Sequence, residues 1–194
     1  MKLAIIDYNA VNVQSVLFAL ERLGIQGILT NDKEIIQTAD KVIFPGVGHA
    51  RHAMNTLRAK ELDQVIREVT QPLLGICLGM QLLFEYSEEG ETECLGLIKG
   101  RVKKFNNEAI TVPQMGWNTI QFDAHPLFES LGQDPWFYSV HSYYAEINDA
   151  TISSTEYGHR YSSTVKKDNF IGTQYHPEKS SENGAILLRN FLKI

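Results

Sequence analysis

The segment Pro72-Leu73-Leu74-Gly75-Ile76-Cys77-Leu78-Gly79-Met80-Gln81-Leu82-Leu83-Phe84 constrains this chain more than any other. An apolar run suited to a buried strand passes through Gly-x-Cys-x-Gly into a stretch spaced like an amphipathic helix, predicted over 78–86. A sharp strand-to-helix turn crowds the backbone, and Gly75 and Gly79 put small residues two positions either side of Cys77. Such a turn lifts its central side chain above the carboxyl end of a sheet, where open α/β sheets bind ligands. A sulfur at a helix start lies near free N–H groups and the positive end of the dipole, which lowers a thiol pKa. The N–H of Leu78 points where a tetrahedral oxyanion would form. A lone cysteine reads equally as a small buried apolar residue, and only the glycines favour the nucleophile. Cys94 has no such setting and reads as structural.

The rest of the chain fits a sheet around that turn. Residues 2–6 read as a strand. Val13, Val16, Leu17, Leu20 and Leu23 then recur at helical spacing up to Gly24, a natural stop. A strand at 27–29, a helix at 34–39, a strand at 41–44 closed by Pro45-Gly46, one long helix or two short ones over 50–69, and a strand at 72–76 follow. Alternating βα units imply a parallel sheet covered on both faces. The second half reads as strands at 101–105, 117–122, 136–147, 152–156, 161–165 and 170–175, with turn signals suggesting antiparallel pairing. Ser181 is placed to cap a last helix over 185–192. The expected architecture is a single α/β domain, 1–194. It has three layers around a central mixed sheet, parallel in the first half and antiparallel in the second.

A thiol nucleophile needs a base, and the base needs a partner that fixes its tautomer. His176 ends the strand 170–175, and Glu178 follows two residues later. Extended backbone projects i and i+2 to one side, and Pro177 favours extension at His176. Glu178 can therefore hold the imidazole and stabilise the imidazolium. Alone, the pair reads equally as a surface histidine beside a solvated carboxylate. The loop Pro45-Gly46-Val47-Gly48 is an ordinary βα turn by itself. With the other segments, Val47 or Gly48 could give a second oxyanion N–H.

Composition limits the alternatives. The chain has 194 residues, 43 % hydrophobic and 21 % charged, with a formal net charge of -5, so a globular core is expected. No basic block points to nucleic acid. Cys77 and Cys94 make neither a disulfide scaffold nor a metal site, so no metal and no cofactor are expected. No run approaches the ~18 apolar residues of a membrane span, and the N-terminus lacks a signal segment, which together suggest a cytoplasmic protein.

Three ordered segments resemble a known family: Pro45-Gly46-Val47-Gly48, Gly75-Ile76-Cys77-Leu78-Gly79-Met80-Gln81 and Gln174-Tyr175-His176-Pro177-Glu178. This is the signature of the class I glutamine amidotransferases. The resemblance implies that Cys77 attacks the glutamine side-chain amide and that His176 shuttles the proton. It implies that Gln81 holds the amino-acid end, with the backbone around Gly48 and around His141-Ser142-Tyr143 lining the same pocket. Asp7-Tyr8 through Asn12, Pro113-Gln114-Met115-Gly116-Trp117-Asn118, Val140-His141-Ser142-Tyr143 and His176-Pro177-Glu178-Lys179-Ser180 resemble one branch. Its members pass ammonia to a separate (β/α)₈ synthase subunit in histidine biosynthesis, as one half of a heterodimer. Met115, Trp117, Tyr138 and Lys179 then look partner-facing. The isolated chain is expected to be nearly inactive until a ligand-loaded barrel completes the oxyanion hole. The chain departs from that pattern at Gln114, where the family usually has His, and at Asn9 and Val11, near which it usually has glycines. A glutaminase serving a barrel in amidino-sugar synthesis is the nearest alternative. A cysteine peptidase, an amidotransferase subunit of another pathway and a non-catalytic binding module stand further off.

Overall fold

The computed structural model describes residues 1–10, 13–106 and 109–194. Val11 and Asn12, used in the comparison with the family pattern, lie outside the described residues. The first half contains β1 (Leu3–Ile6), α1 (Val13–Arg22), β2 (Gly27–Thr30), α2 (Lys33–Gln37), β3 (Lys41–Gly46), α3 (Ala50–Ala59), α4 (Leu62–Glu68), β4 (Leu73–Cys77) and α5 (Leu78–Gln81). The second half contains β5 (Phe84–Ser87), β6 (Thr92–Glu93), β7 (Ile98–Lys104), β8 (Gln114–Thr119), β9 (Gln121–Phe122), β10 (Trp136–His141), β11 (Tyr143–Ala145), β12 (Thr151–Glu156), β13 (Arg160–Lys167), β14 (Phe170–Thr173) and α6 (Ser181–Lys193).

Twelve strands form one sheet in the order β2-β1-β3-β4-β14-β13-β11-β7-β5-β6, with β12 branching from β13 and β9 pairing with β12. A separate two-stranded ribbon joins β8 to β10. The inner parallel strands β1, β3, β4 and β14 are buried throughout, which suits their largely apolar sequences, whereas β2 is a half-exposed edge. In β1, Leu3 and Ile5 pack with Val16 and Leu20 of α1 and with Leu187 and Phe191 of α6. Ala4 and Ile6 join Ile36, Met54, Leu57, Leu62 and Ile66 on the opposite face. This is the expected three-layer, mixed α/β arrangement. Each large aliphatic side chain removed from water contributes about 1.5–3 kcal/mol.

Four expectations need correction. The helix predicted over 78–86 lasts one turn. Its residues Leu78–Gln81 are all buried, so there is no wet face to continue. The next backbone is captured by the following segment, with the Leu83 carbonyl accepting from both Leu97 and Ile98. Phe84 then enters β5, parallel to β7. The second half is not uniformly antiparallel either, because β14 inserts between β4 and β13 and runs parallel to β4. The single strand read over 136–147 is two. Its chain leaves the ribbon at His141 and joins the main sheet at Tyr143. Ser181 is not a cap. It is the first residue of α6, at φ +50°, and no side chain caps that helix.

Smaller differences follow from pairing. The strand read as closing at Phe44 runs on, because Pro45 pairs with Ile76 and Gly46 with Cys77. The stretch 50–69 resolves into two helices at Glu61, which adopts φ +54°. Among the described residues, no helix is long and apolar enough to cross a membrane.

Candidate active site

The parallel register of β4 and β14 places Ile76 beside Thr173. The residues that follow each strand therefore emerge at the same sheet edge. Cys77 comes next on one side, and Gln174, Tyr175 and His176 come next on the other. Cys77 stands at φ 52°, ψ −108°, a conformation that a side chain tolerates only when its surroundings impose it. Gly79 is part of what imposes it, since a Cβ there would sit 2.0 Å from the Phe44 carbonyl oxygen. The turn is thus pressed directly onto the β3 backbone. One helical turn supplies free N–H groups, including that of Leu78, but little macrodipole.

His176 is 1 % exposed. Its Nδ1 lies 2.7 Å from Glu178 Oε1, and Nε2 is buried without a hydrogen-bond partner. Burial opposes the charged imidazole. The charge that Cys77 acquires on ionising, with the Glu178 carboxylate, outweighs it and raises the pKa from 6.5 to about 10. The three side chains read from the sequence therefore converge, with His176 electrostatically coupled to both neighbours. The tight bend after His176 is tied down by Ser180, whose hydroxyl donates to the His176 carbonyl (2.6 Å) and accepts from the Tyr138 amide (2.9 Å).

The sulfur has further neighbours. Cys77 Sγ lies 3.9 Å from the Val140 carbonyl, to which its thiol can donate, and Gln174 Nε2 lies 3.7 Å from Sγ. The Gln174 amide oxygen accepts from Gln81 Nε2 at 2.9 Å, and Gln81 Nε2 also donates to the Tyr143 carbonyl at 3.0 Å. Both N–H bonds of Gln81 are thereby committed within the protein, and its carbonyl oxygen is what remains for a ligand. Gln174 was not singled out by the sequence reading. It follows β14, which ends at Thr173, so no strand alternation marked it.

The glycine loop lies beside this cluster. Tyr8 donates its hydroxyl to the Pro45 carbonyl at 2.9 Å, and Gly48 adopts φ +113°, which favours glycine. Val47 is half-buried and Gly48 exposed. Next to them, Glu89 accepts from the Ala50 amide at 2.7 Å and lies close enough to Tyr143 to help raise its pKa, after the larger effect of burial. Glu89 is a second residue that no spacing rule picked out.

His141 is placed differently from Ser142 and Tyr143. Its ring is buried against Phe105 and Tyr161, which leaves its backbone as the part able to meet a ligand. The four residues expected to face a partner do not share one environment. Met115 is 66 % and Trp117 50 % exposed. Lys179 is exposed and Tyr138 half-buried. The ribbon register pairs Met115 with Val140, Trp117 with Tyr138 and Thr119 with Trp136, so these six lie on one face. Trp136, 55 % exposed, extends that apolar face and was not singled out from sequence. The opposite face points inward, with Gln114, Phe137, Ser139 and His141 buried.

Among the described residues, no group of three or more His, Cys, Asp or Glu side chains could hold a metal ion. Cys94 is buried, and burial pushes its thiol up to about 12.

Comparison with known proteins places the chain in a family. The family model described as glutamine amidotransferase class-I matches residues 4–194. A Bacteroides thetaiotaomicron protein named imidazole glycerol phosphate synthase subunit HisH is 50 % identical over 196 residues, covering 100 % of both chains. The protein of that name from Haemophilus influenzae strain Rd is 45 % identical, covering 100 % of this chain and 98 % of its own length. Among solved structures, one described as a glutamine amidotransferase superimposes with TM-score 0.73 at 19 % identity, covering 98 % of this chain and 97 % of that one. A chain of PurLQS from Thermotoga maritima gives 0.74 at 17 % identity, covering 99 % and 97 %. These two likenesses carry the fold.

Proposed function

This chain belongs to the class-I glutamine amidotransferase family, and from that premise we propose how its residues act. Its relatives give the activity: the chain is the glutaminase subunit of an imidazole glycerol phosphate synthase, a glutamine amidotransferase of histidine biosynthesis.

The observation that carries the mechanism is the buried His176, tied to Glu178 and coupled to Cys77. His176 takes the thiol proton, and the sulfur attacks the side-chain amide carbon of glutamine. The oxyanion forms against the Leu78 N–H and a second N–H from Val47 or Gly48. Its collapse breaks the C–N bond, and His176 returns the proton to the departing ammonia. A glutamyl thioester remains. Water that gives its proton to His176 hydrolyses it, releasing glutamate and restoring the thiol. The site's tilt toward imidazolium suits a base that must hold a proton between these steps.

The substrate's amino-acid end lies between Gln81, Gly48, the Ser142–Tyr143 backbone and Glu89. The Gln81 oxygen and the Glu89 carboxylate are the groups suited to an ammonium. Ammonia passes to a (β/α)₈ synthase partner that docks on the apolar ribbon face, and Lys179 adds a cation at its rim. An exposed patch of this kind marks an interface. Continuity from that patch to the sulfur, through Val140, is what favours a partner here.

The test is ammonia release from glutamine by the complex with its synthase subunit. Wild type turns over, and Cys77→Ala does not and accepts no label from a glutamine-mimicking electrophile. Ammonia release by Cys77→Ala would overturn the assignment of the nucleophile. Full turnover by the chain alone would overturn the partner's role.

A further inference from the structure

The active site is joined to the inner face of the ribbon by hydrogen bonds that the reaction above does not use. The His141 ring spans two partners, with Nδ1 2.8 Å from the Tyr143 carbonyl and Nε2 3.3 Å from the Tyr161 hydroxyl. Tyr161 in turn lies 2.8 Å from the Gln114 amide oxygen. All three side chains are buried.

Counting protons fixes the directions. A carbonyl can only accept, so His141 Nδ1 carries the hydrogen. Burial, acting more strongly than the Tyr143 carbonyl and aided by nearby His176, lowers the His141 pKa to about 4, so the ring is neutral and Nε2 is a bare acceptor. The donor facing Nε2 is the Tyr161 O–H. That proton cannot also serve the Gln114 oxygen. Turning the Gln114 amide over resolves the conflict, because its NH₂ then donates to Tyr161 Oη. The chain reads Gln114 to Tyr161 to His141 to the Tyr143 carbonyl. The same carbonyl accepts from Gln81, which continues to Gln174 and the sulfur.

We propose that His141, oriented by Tyr161, is a positioning residue for the amino-acid end of the substrate, acting through the Tyr143 carbonyl and Gln81. With the carbonyl clamped by two donors, the Gln81 amide has one orientation, and its oxygen faces the ligand. Without the His141 donor the carbonyl can swing and Gln81 can turn over, presenting N–H groups to an ammonium. The proposal rests on the glutaminase reading and adds a role that touches neither the sulfur nor the base.

The test uses the complex with its synthase subunit. His141→Leu raises KM for glutamine about tenfold, the scale of one buried hydrogen bond, while kcat stays within about twofold. His141→Asn, whose amide can replace the Nδ1 donor, recovers most of that loss. Tyr161→Phe raises KM about threefold. Alkylation of Cys77 by chloroacetamide, which has no amino-acid end, keeps the wild-type rate in all three. Inactivation by a glutamine-mimicking electrophile slows in step with KM. Equal losses in His141→Leu and His141→Asn, or a fall in kcat with KM unchanged, would overturn the proposal. So would equal slowing of both alkylations, which marks a general loosening. Absence of ammonia release by the wild-type complex would overturn the glutaminase reading itself.

Discussion

His176 Nδ1 and Glu178 Oε1 meet at 2.7 Å with both side chains buried, so the carboxylate holds the imidazole in one tautomer and shares its charge. Glu178→Gln keeps the shape and removes the charge. We expect kcat for glutamine hydrolysis to fall by about 100-fold or more, in line with loss of an orienting carboxylate elsewhere.

Glu178, after the larger effect of ionised Cys77, helps raise the His176 pKa, and that rise carries a pH dependence of stability. The imidazole binds its proton more tightly folded, with a pKa of about 10, than unfolded, at 6.5. The resulting stability is complete below about pH 6.5 and fades as pH rises through about 10. Denaturant melts from pH 6 to 10 should show the gap between wild type and Glu178→Gln narrowing as pH rises. A gap that widens would contradict the assignment of the extra proton to His176.

The Cys77 backbone, at φ 52°, suits glycine better than any residue with a side chain. Cys77→Ala and Cys77→Gly should both be inactive. Thermal melts should place Cys77→Gly above Cys77→Ala by roughly 1 kcal/mol, the low end of the strain stored in such positions.

Gly79 leaves no room for a Cβ against the Phe44 carbonyl, and the opposing atom is backbone that cannot rotate away. Gly79→Ala should destabilise the fold by about 3 kcal/mol or more and lift the nucleophile turn off β3. Chemical denaturation measures the first effect and loss of ammonia release the second. A variant as stable as wild type would refute the contact.

On the ribbon face, Trp117 stands half-exposed over Tyr138, ring centroids 6.1 Å apart. Trp117→Ala should weaken binding of the synthase subunit by about 2 kcal/mol or more, since buried tryptophans dominate interfaces. The stability of the isolated chain should stay within about 0.5 kcal/mol. Calorimetry of the pair and melts of the chain separate the two effects.

The parallel half of the sheet was legible because both of its faces are covered, which leaves long apolar runs in β1, β3 and β4. The tight turn at Cys77 was legible because crowding demands glycine at fixed offsets from it. What escaped was decided at long range. Nothing near Leu82 reveals that residues 95–98 will take the carbonyls of Leu82, Leu83 and Phe84, and so the short α5 read as a longer helix. The partition of β10 and β11 into different sheets is equally invisible, because both sides of Ser142 share one β-like composition. Gln174 and Glu89 acquire their places from strand order and loop packing. The backbone around His141 was read as lining the pocket, and the place of its ring, in the aromatic cluster around Phe105, was not read at all.

The change of sheets at Ser142 has a mechanical consequence. A two-stranded ribbon has little stiffness of its own, and this one joins a broad, stiff slab one residue past its end. The first carbonyl beyond the joint is the one that accepts from Gln81, so Gln81 is anchored to the point where ribbon meets slab.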